Sequence, residues 1–215
     1  MRKSVQWAGY LGLLGAVLVG AGEFILQYSP GADYAHGYDY FAHVSQARLS
    51  FGHFLSVLAA PLYVVGYWYL SQRLDPKNTW VGRSFFVIGA YAFIVGAAWM
   101  GQRVFLALTV QEMSTGADLQ NLLDAFSALN EPFVNVLRVA MAVLALIWIY
   151  QILKGRSSYP KWMAIFSPAA VLAAIIVLYV FVPGLGGLLV PNAMNVAHIV
   201  VFALSLWVAR PQSID

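Results

Sequence analysis

Residues 130–151 read "NEPFVNVLRVAMAVLALIWIYQ". From Val134 onward the stretch is apolar for close to the length that crosses a bilayer, about 20 residues. Glu131, Asn135 and Arg138 nevertheless stand in its first two turns, spaced i, i+4, i+7 along one helical stripe. A charge inside hydrocarbon costs about 2.5–3.5 kcal/mol on insertion scales. Such a stripe must therefore face other protein groups or a wet interior. The fold and the candidate site both follow from this tension.

The rest of the chain repeats the pattern. Of 215 residues, 61% are hydrophobic and 10% charged, against about 25% charged in a soluble domain. That surface cannot be covered in water, so the sequence predicts an all-α, polytopic membrane helix bundle in one domain, residues 1–215. Six apolar spans are expected at roughly 6–28, 47–71, 83–110, 131–154, 161–182 and 189–208, each near the bilayer length. The first is too long for a secretory h-region and is expected to be retained. Pro61 should kink the second span, and Pro168 should disturb the start of the fifth.

Charge sets the expected orientation. Arg2, Lys3, Arg73, Lys77, Arg83, Lys154, Arg156, Lys161 and Arg210 fall on one side of these spans. Asp33, Asp39, Glu112, Asp118 and Asp124 fall on the other, which carries no lysine. The positive-inside rule then puts both termini in the cytoplasm, in a multi-pass protein of the plasma (inner) membrane. Trp7, Trp68, Trp80, Trp148, Trp162 and Trp207 are expected near the cytoplasmic interface. The basic residues cluster at span ends, which argues against nucleic acid as a partner. In the third loop, Leu119, Leu122, Leu123, Phe126 and Leu129 recur at helical spacing. They predict a short amphipathic surface helix over 116–129.

The buried polar residues gather at one depth. Glu23 and Gln27, then Arg48, Ser50 and His53, then Gln102 and Arg103, then the Glu131–Arg138 stripe, then Asn192, Asn195 and His198 all lie in the outer halves of their spans. This implies a polar pocket that opens outward. Arg48, Arg103 and Arg138 outnumber Glu23 and Glu131, which suits an anionic or polar head group. Arg48, Arg103, Glu131, Asn135, Arg138, Asn192 and Asn195 are the candidate substrate-binding residues. His53 and His198 are candidate general acid–base groups, with Glu23 as orienting partner and Ser50 one turn away. An ion pair joining Arg103 or Arg138 to Glu23 or Glu131 is expected inside the bundle.

Two classes of function follow. One is an enzyme, a hydrolase or transferase acting on a membrane lipid or similar amphiphile. The other is a non-catalytic binding or transport protein for a small anion or lipid, or a structural subunit of a membrane complex. His53, His198 and Glu23 would supply the three ligands of a zinc site. A single histidine pair at matched depth disfavours haem. The absence of cysteine excludes thiolate chemistry. Gly12, Ala16 and Gly20 make a small-residue face on the first span, which could pack against another helix or a second copy of the chain.

Overall fold

Glycines at helix crossings fix how this chain packs. The structure is a computed structural model that describes residues 3–32, 34 and 37–209. Asp33 and His36 of the first loop, together with Arg2 and Arg210, lie outside the described residues. Among the described residues eight helices carry the fold: α1 (Lys3–Gln27), α2 (Gln46–Ala59), α3 (Pro61–Leu74), α4 (Trp80–Ser114), α5 (Gln120–Leu153), α6 (Pro168–Phe181), α7 (Pro183–Leu189) and α8 (Ala193–Val208). Short 3-10 turns cover Asp39–His43, Lys161–Phe166 and Val190–Asn192. Among the described residues there is no strand.

Helix α1 is the mast of the bundle, packed against α2, α3 and α8. A Cβ on Gly12 would lie 2.5 Å from the Cα of Gly66 on α3. One on Gly52 of α2 would lie 2.6 Å from the carbonyl of Gly22. Only glycine lets these backbones meet, and close approach is how helices gain contact in lipid. Ala16 is likewise fully buried. The small-residue face of the first span is thus occupied within the chain and is not free for a second copy.

Among the described residues five stretches are long and apolar enough to cross a bilayer: Lys3–Gln27, Gln46–Leu74, Trp80–Ser114, Gln120–Leu153 and Pro183–Val208. Helices α2 and α3 make one kinked run, because Ala60 keeps helical angles ahead of Pro61. The chain is a membrane helix bundle with a basic end and an acidic end. Lys77 sits in the turn between α3 and α4 at the basic end, and the Ser158 N–H donates to the Arg73 carbonyl there. Asp75 closes this end by accepting from the Thr79 and Gly82 N–H groups. Its carboxyl sits below the usual range although burial opposes this, because the hydrogen bonds outweigh the burial.

Three expectations change. The fifth span is a 3-10 turn followed by a 14-residue helix. Pro168 starts a new helix, and the Ser167 side chain caps it by accepting from the Ala170 N–H. At 1.5 Å per residue α6 alone covers about 21 Å, short of a core of about 30 Å. The separate surface helix of the third loop is also absent. Residues 120–129 form the first turns of α5, which runs unbroken through Pro132, and 116–119 are turn and coil ahead of it. Proline removes one N–H, and its exposed position leaves the orphaned Ala128 carbonyl to solvent. The apolar stripe there meets protein: Phe126 packs on Phe105 of α4, and Leu123 joins a cluster with Phe41 and Val110. Finally, Trp148 is fully buried, its indole N–H donating to the Met163 carbonyl at 2.9 Å, while the five other tryptophans of the expected belt are partly or largely exposed.

The crossing geometry gives a direct expectation. Gly12→Ala should destabilise the detergent-solubilised protein by about 1–3 kcal/mol, the cost of overpacking a tight site. Gly101→Ala has open space around it and should be neutral or stabilising by up to about 1 kcal/mol. Thermal melts of the two variants decide the matter; equal behaviour would rule out the close α1–α3 contact.

Candidate functional site

Helix ends and the first loop meet at the acidic end around a cavity of about 840 Å³. Its polar wall is built from four directions. Helix α1 supplies Glu23 and Gln27, and α4 supplies Arg103. Helix α5 supplies Ser127, Glu131 and Arg138, and the start of α8 supplies Asn195. Tyr34, Tyr38 and Tyr40 of the first loop close it. The remaining wall is apolar, with Phe93, Leu137, Met141, Leu172 and Ile176 among its members.

Arg103 organises this wall. It is 5% exposed, and its guanidinium donates to the Tyr40 hydroxyl. The guanidinium carbon lies 4.8 Å from the Trp99 ring centroid and within 5.6 Å of those of Phe41 and Tyr38. Stacking of this kind stabilises a weakly hydrated guanidinium away from water. Its Nε is buried and has no hydrogen-bond partner. An unpaired buried donor is costly, about 1–3 kcal/mol, and calls for a partner group.

The carboxylates do not supply that group. Glu23 accepts from the Asn195 amide, whose oxygen accepts from the Tyr63 hydroxyl at 2.6 Å. Glu131 accepts from the Tyr38 hydroxyl. Arg138 donates to Asn135 at 3.2 Å, and both side chains are exposed. The hydrogen bonds of both arginines thus go to neutral groups, in place of the expected ion pair. Burial and the acceptor Glu131 raise the Tyr38 hydroxyl above the ordinary tyrosine range. Burial also raises Tyr40, against the pull of Arg103. Both therefore stay protonated donors at neutral pH.

Several candidate residues lie elsewhere. Arg48 donates to the Ile25 and Tyr28 carbonyls at 2.9 and 2.6 Å, so it caps the C-terminal end of α1. With Arg48 engaged there, the described lining holds two arginines and two glutamates. Asn192 donates to the Gly20 carbonyl at 3.4 Å, pinning the turn before α8 to α1. Ser50 is exposed on α2 and lines no part of the cavity. His53 is half-buried and packs edge-on to Phe54, also outside the lining.

His198 is fully buried among Tyr63, Tyr67, Phe93 and Phe202. Its Nδ1 is 2.7 Å from the Met194 carbonyl, which only accepts, so Nδ1 carries the proton. Nε2 then accepts from the Tyr67 hydroxyl at 2.9 Å. Both ring nitrogens are engaged, and the ring is not part of the cavity lining. His53, His198 and Glu23 therefore do not converge. Among the described residues no group of three histidine or acidic side chains is placed to hold a metal ion.

The family model for DUF6796, a family of unknown function, matches residues 1–212. The chain belongs to that family. No curated protein and no solved structure matches it. The family match spans both the bundle and the cavity, and it assigns no chemistry to either.

Sequence reasoning missed the aromatic setting of Arg103 and the tyrosines of α3. The available signals were the tyrosine-rich first loop and the i, i+4 spacing of Tyr63 and Tyr67. Arg48 offers the clearest test of these assignments. Arg48→Met should cost about 1–3 kcal/mol, the worth of charge-assisted hydrogen bonds at a helix end. A thermal melt indistinguishable from wild type would show that α1 does not depend on this cap.

Proposed function

We propose that the protein crosses the plasma (inner) membrane six times with both termini in the cytoplasm. Its cavity would bind a lipid-like amphiphile by a polar head group, without catalysis. The observation that carries the binding reading is the two-part cavity: a buried arginine with an unsatisfied N–H at one end, apolar walls at the other. Ligand sites are mostly apolar concavities with a few convergent polar groups. Arg103 and Arg138 suit an anionic group on the head, and Glu131 and Glu23 suit a donor on the same head. A zwitterionic or mixed head matches this balance better than a bare anion. The separation of His53, Ser50 and His198 from the cavity favours binding or transport over hydrolysis.

The topology rests on the basic end, which gathers Lys3, Arg73, Lys77, Arg83, Lys154, Arg156 and Lys161. The sixth crossing rests on the entry of the Lys161–Phe166 turn into the bundle, where Met163 reaches the buried Trp148. At about 2.0 Å per residue for the turn and 1.5 Å for α6, this stretch covers about 33 Å, enough for the core.

Two measurements test the reading. Single cysteines placed at Asp118 and Lys77 in this cysteine-free chain should label from opposite sides, Asp118→Cys from outside. Labelling from one side only would overturn the topology. Native mass spectrometry of the purified protein should find a retained lipid, and Arg103→Met should lower its occupancy several-fold. A wild-type protein that holds no amphiphile from a panel of zwitterionic, anionic and neutral lipids would sink the binding reading.

A further inference from the structure

The cavity reaches the perimeter of the bundle on one side. On α5 its lining begins at Ser127; from Glu131 through Arg138 to Ala142 it runs about 16 Å at 1.5 Å per residue. That is close to half of a hydrocarbon core of about 30 Å, the depth of one leaflet. Across the gap stand Leu172 and Ile176 of α6, one helical turn apart. Arg138 and Ala142 line the cavity and are also exposed, and Ile176 is 52% exposed. Exposed lining on both sides of a seam means that the wall there is incomplete. Helix α6 packs mainly on α7 and α8 and more sparingly on α5. It carries no charged residue, so its surroundings in a membrane are acyl chains. The acidic-end face, by contrast, is covered by the first loop, whose tyrosines are tied to Arg103 and Glu131.

We propose that the cavity is loaded sideways from the leaflet at the acidic end, through the seam between α5 and α6. This rests on the amphiphile-binding reading above. The lipid's chains slide between the helices while its head stays at the level of Arg138. A long arginine near a helix end keeps its guanidinium at the interface while its stem lies on apolar surface. The head then passes inward to the unsatisfied donor of Arg103. Arg138 is the outer contact and Arg103 the inner one, and the head stays at the polar level throughout. The tails never enter water, so loading avoids the large cost of exposing apolar surface.

The test uses the full chain with two cysteines, Ala142→Cys and Leu172→Cys, joined by a bismaleimide that contains a cleavable disulfide. The protein, carrying ordinary phosphatidylethanolamine or phosphatidylglycerol, is placed in vesicles of the same deuterated lipids. Native mass spectrometry then follows replacement of the bound lipid. Linking should slow replacement at least tenfold, and cutting the link with a reductant should restore the rate. Replacement at the unlinked rate while the link is intact, or a rate that stays slow after cutting, overturns sideways loading. In both cases retained lipid leaves the cavity reading standing. If the unlinked protein and wild type bind no lipid, the cavity reading falls and this inference falls with it. As a second variant, Ala142→Trp narrows the seam without chemistry and should slow replacement in the same direction; replacement as fast as wild type would count against the seam.

Discussion

Backbone-to-backbone contact along α1 is the constraint from which the rest of the molecule follows. Gly12 against Gly66 and Gly22 against Gly52 bring α3 and α2 to within glycine distance of the mast. Lipid offers helices no hydrophobic drive to associate, so such close contacts and interhelical hydrogen bonds must hold the bundle. The second crossing lies one residue from Glu23. It therefore fixes where the buried carboxylate stands relative to Asn195 and Arg103. The aromatic packing of Tyr63, Tyr67, Phe93 and His198 fills the volume next to the cavity's inner boundary. Tight packing on one side and an incomplete seam on the other give the cavity its shape.

The polar residues divide into two kinds once their partners are known. Arg48 and His198 complete the structure: a helix cap, and a core ring with both nitrogens engaged. Arg103 keeps a buried donor without a partner and, with Glu131 and Arg138, faces the cavity. Burial does not separate the two kinds, since His198 and Arg103 are both buried. What separates them is whether each donor and acceptor has already found a neighbour.

Much of this was legible in the sequence for physical reasons. Hydrocarbon demands long apolar runs, so the spans beginning near residues 6, 47, 83 and 131 could be read from composition. The depth of Glu23, Arg103, Glu131 and Asn195 followed from counting residues along those spans, and the structure gathers these four around one cavity. Partner choice was not legible. Nothing local tells Arg48 to turn toward the carbonyls of Ile25 and Tyr28, because that contact depends on how α1 and α2 cross. Nothing local tells His198 that Tyr67 will meet it. The third loop misled because its glycine and Pro132 resemble boundaries, whereas an exposed proline costs a helix only one hydrogen bond. Trp148 misled in the same way: an aromatic ring near a span end fits either an interface or a buried donor with a carbonyl within reach.

Helices α4 and α5 have 35 and 34 residues. At 1.5 Å per residue each extends about 50 Å, some 20 Å more than the hydrocarbon core. Toward the acidic end the two helices are braced by Phe105 against Phe126, which makes a stiff post there. On the amphiphile reading proposed above, bilayer thickness then becomes a variable of the site. A membrane a few ångströms thicker submerges more of the post and draws the phosphate plane away from Arg138, while a thinner one brings that plane down to it. Mismatch costs only fractions of a kcal/mol per ångström, so on that reading the register between head group and arginine adjusts with the surrounding lipid.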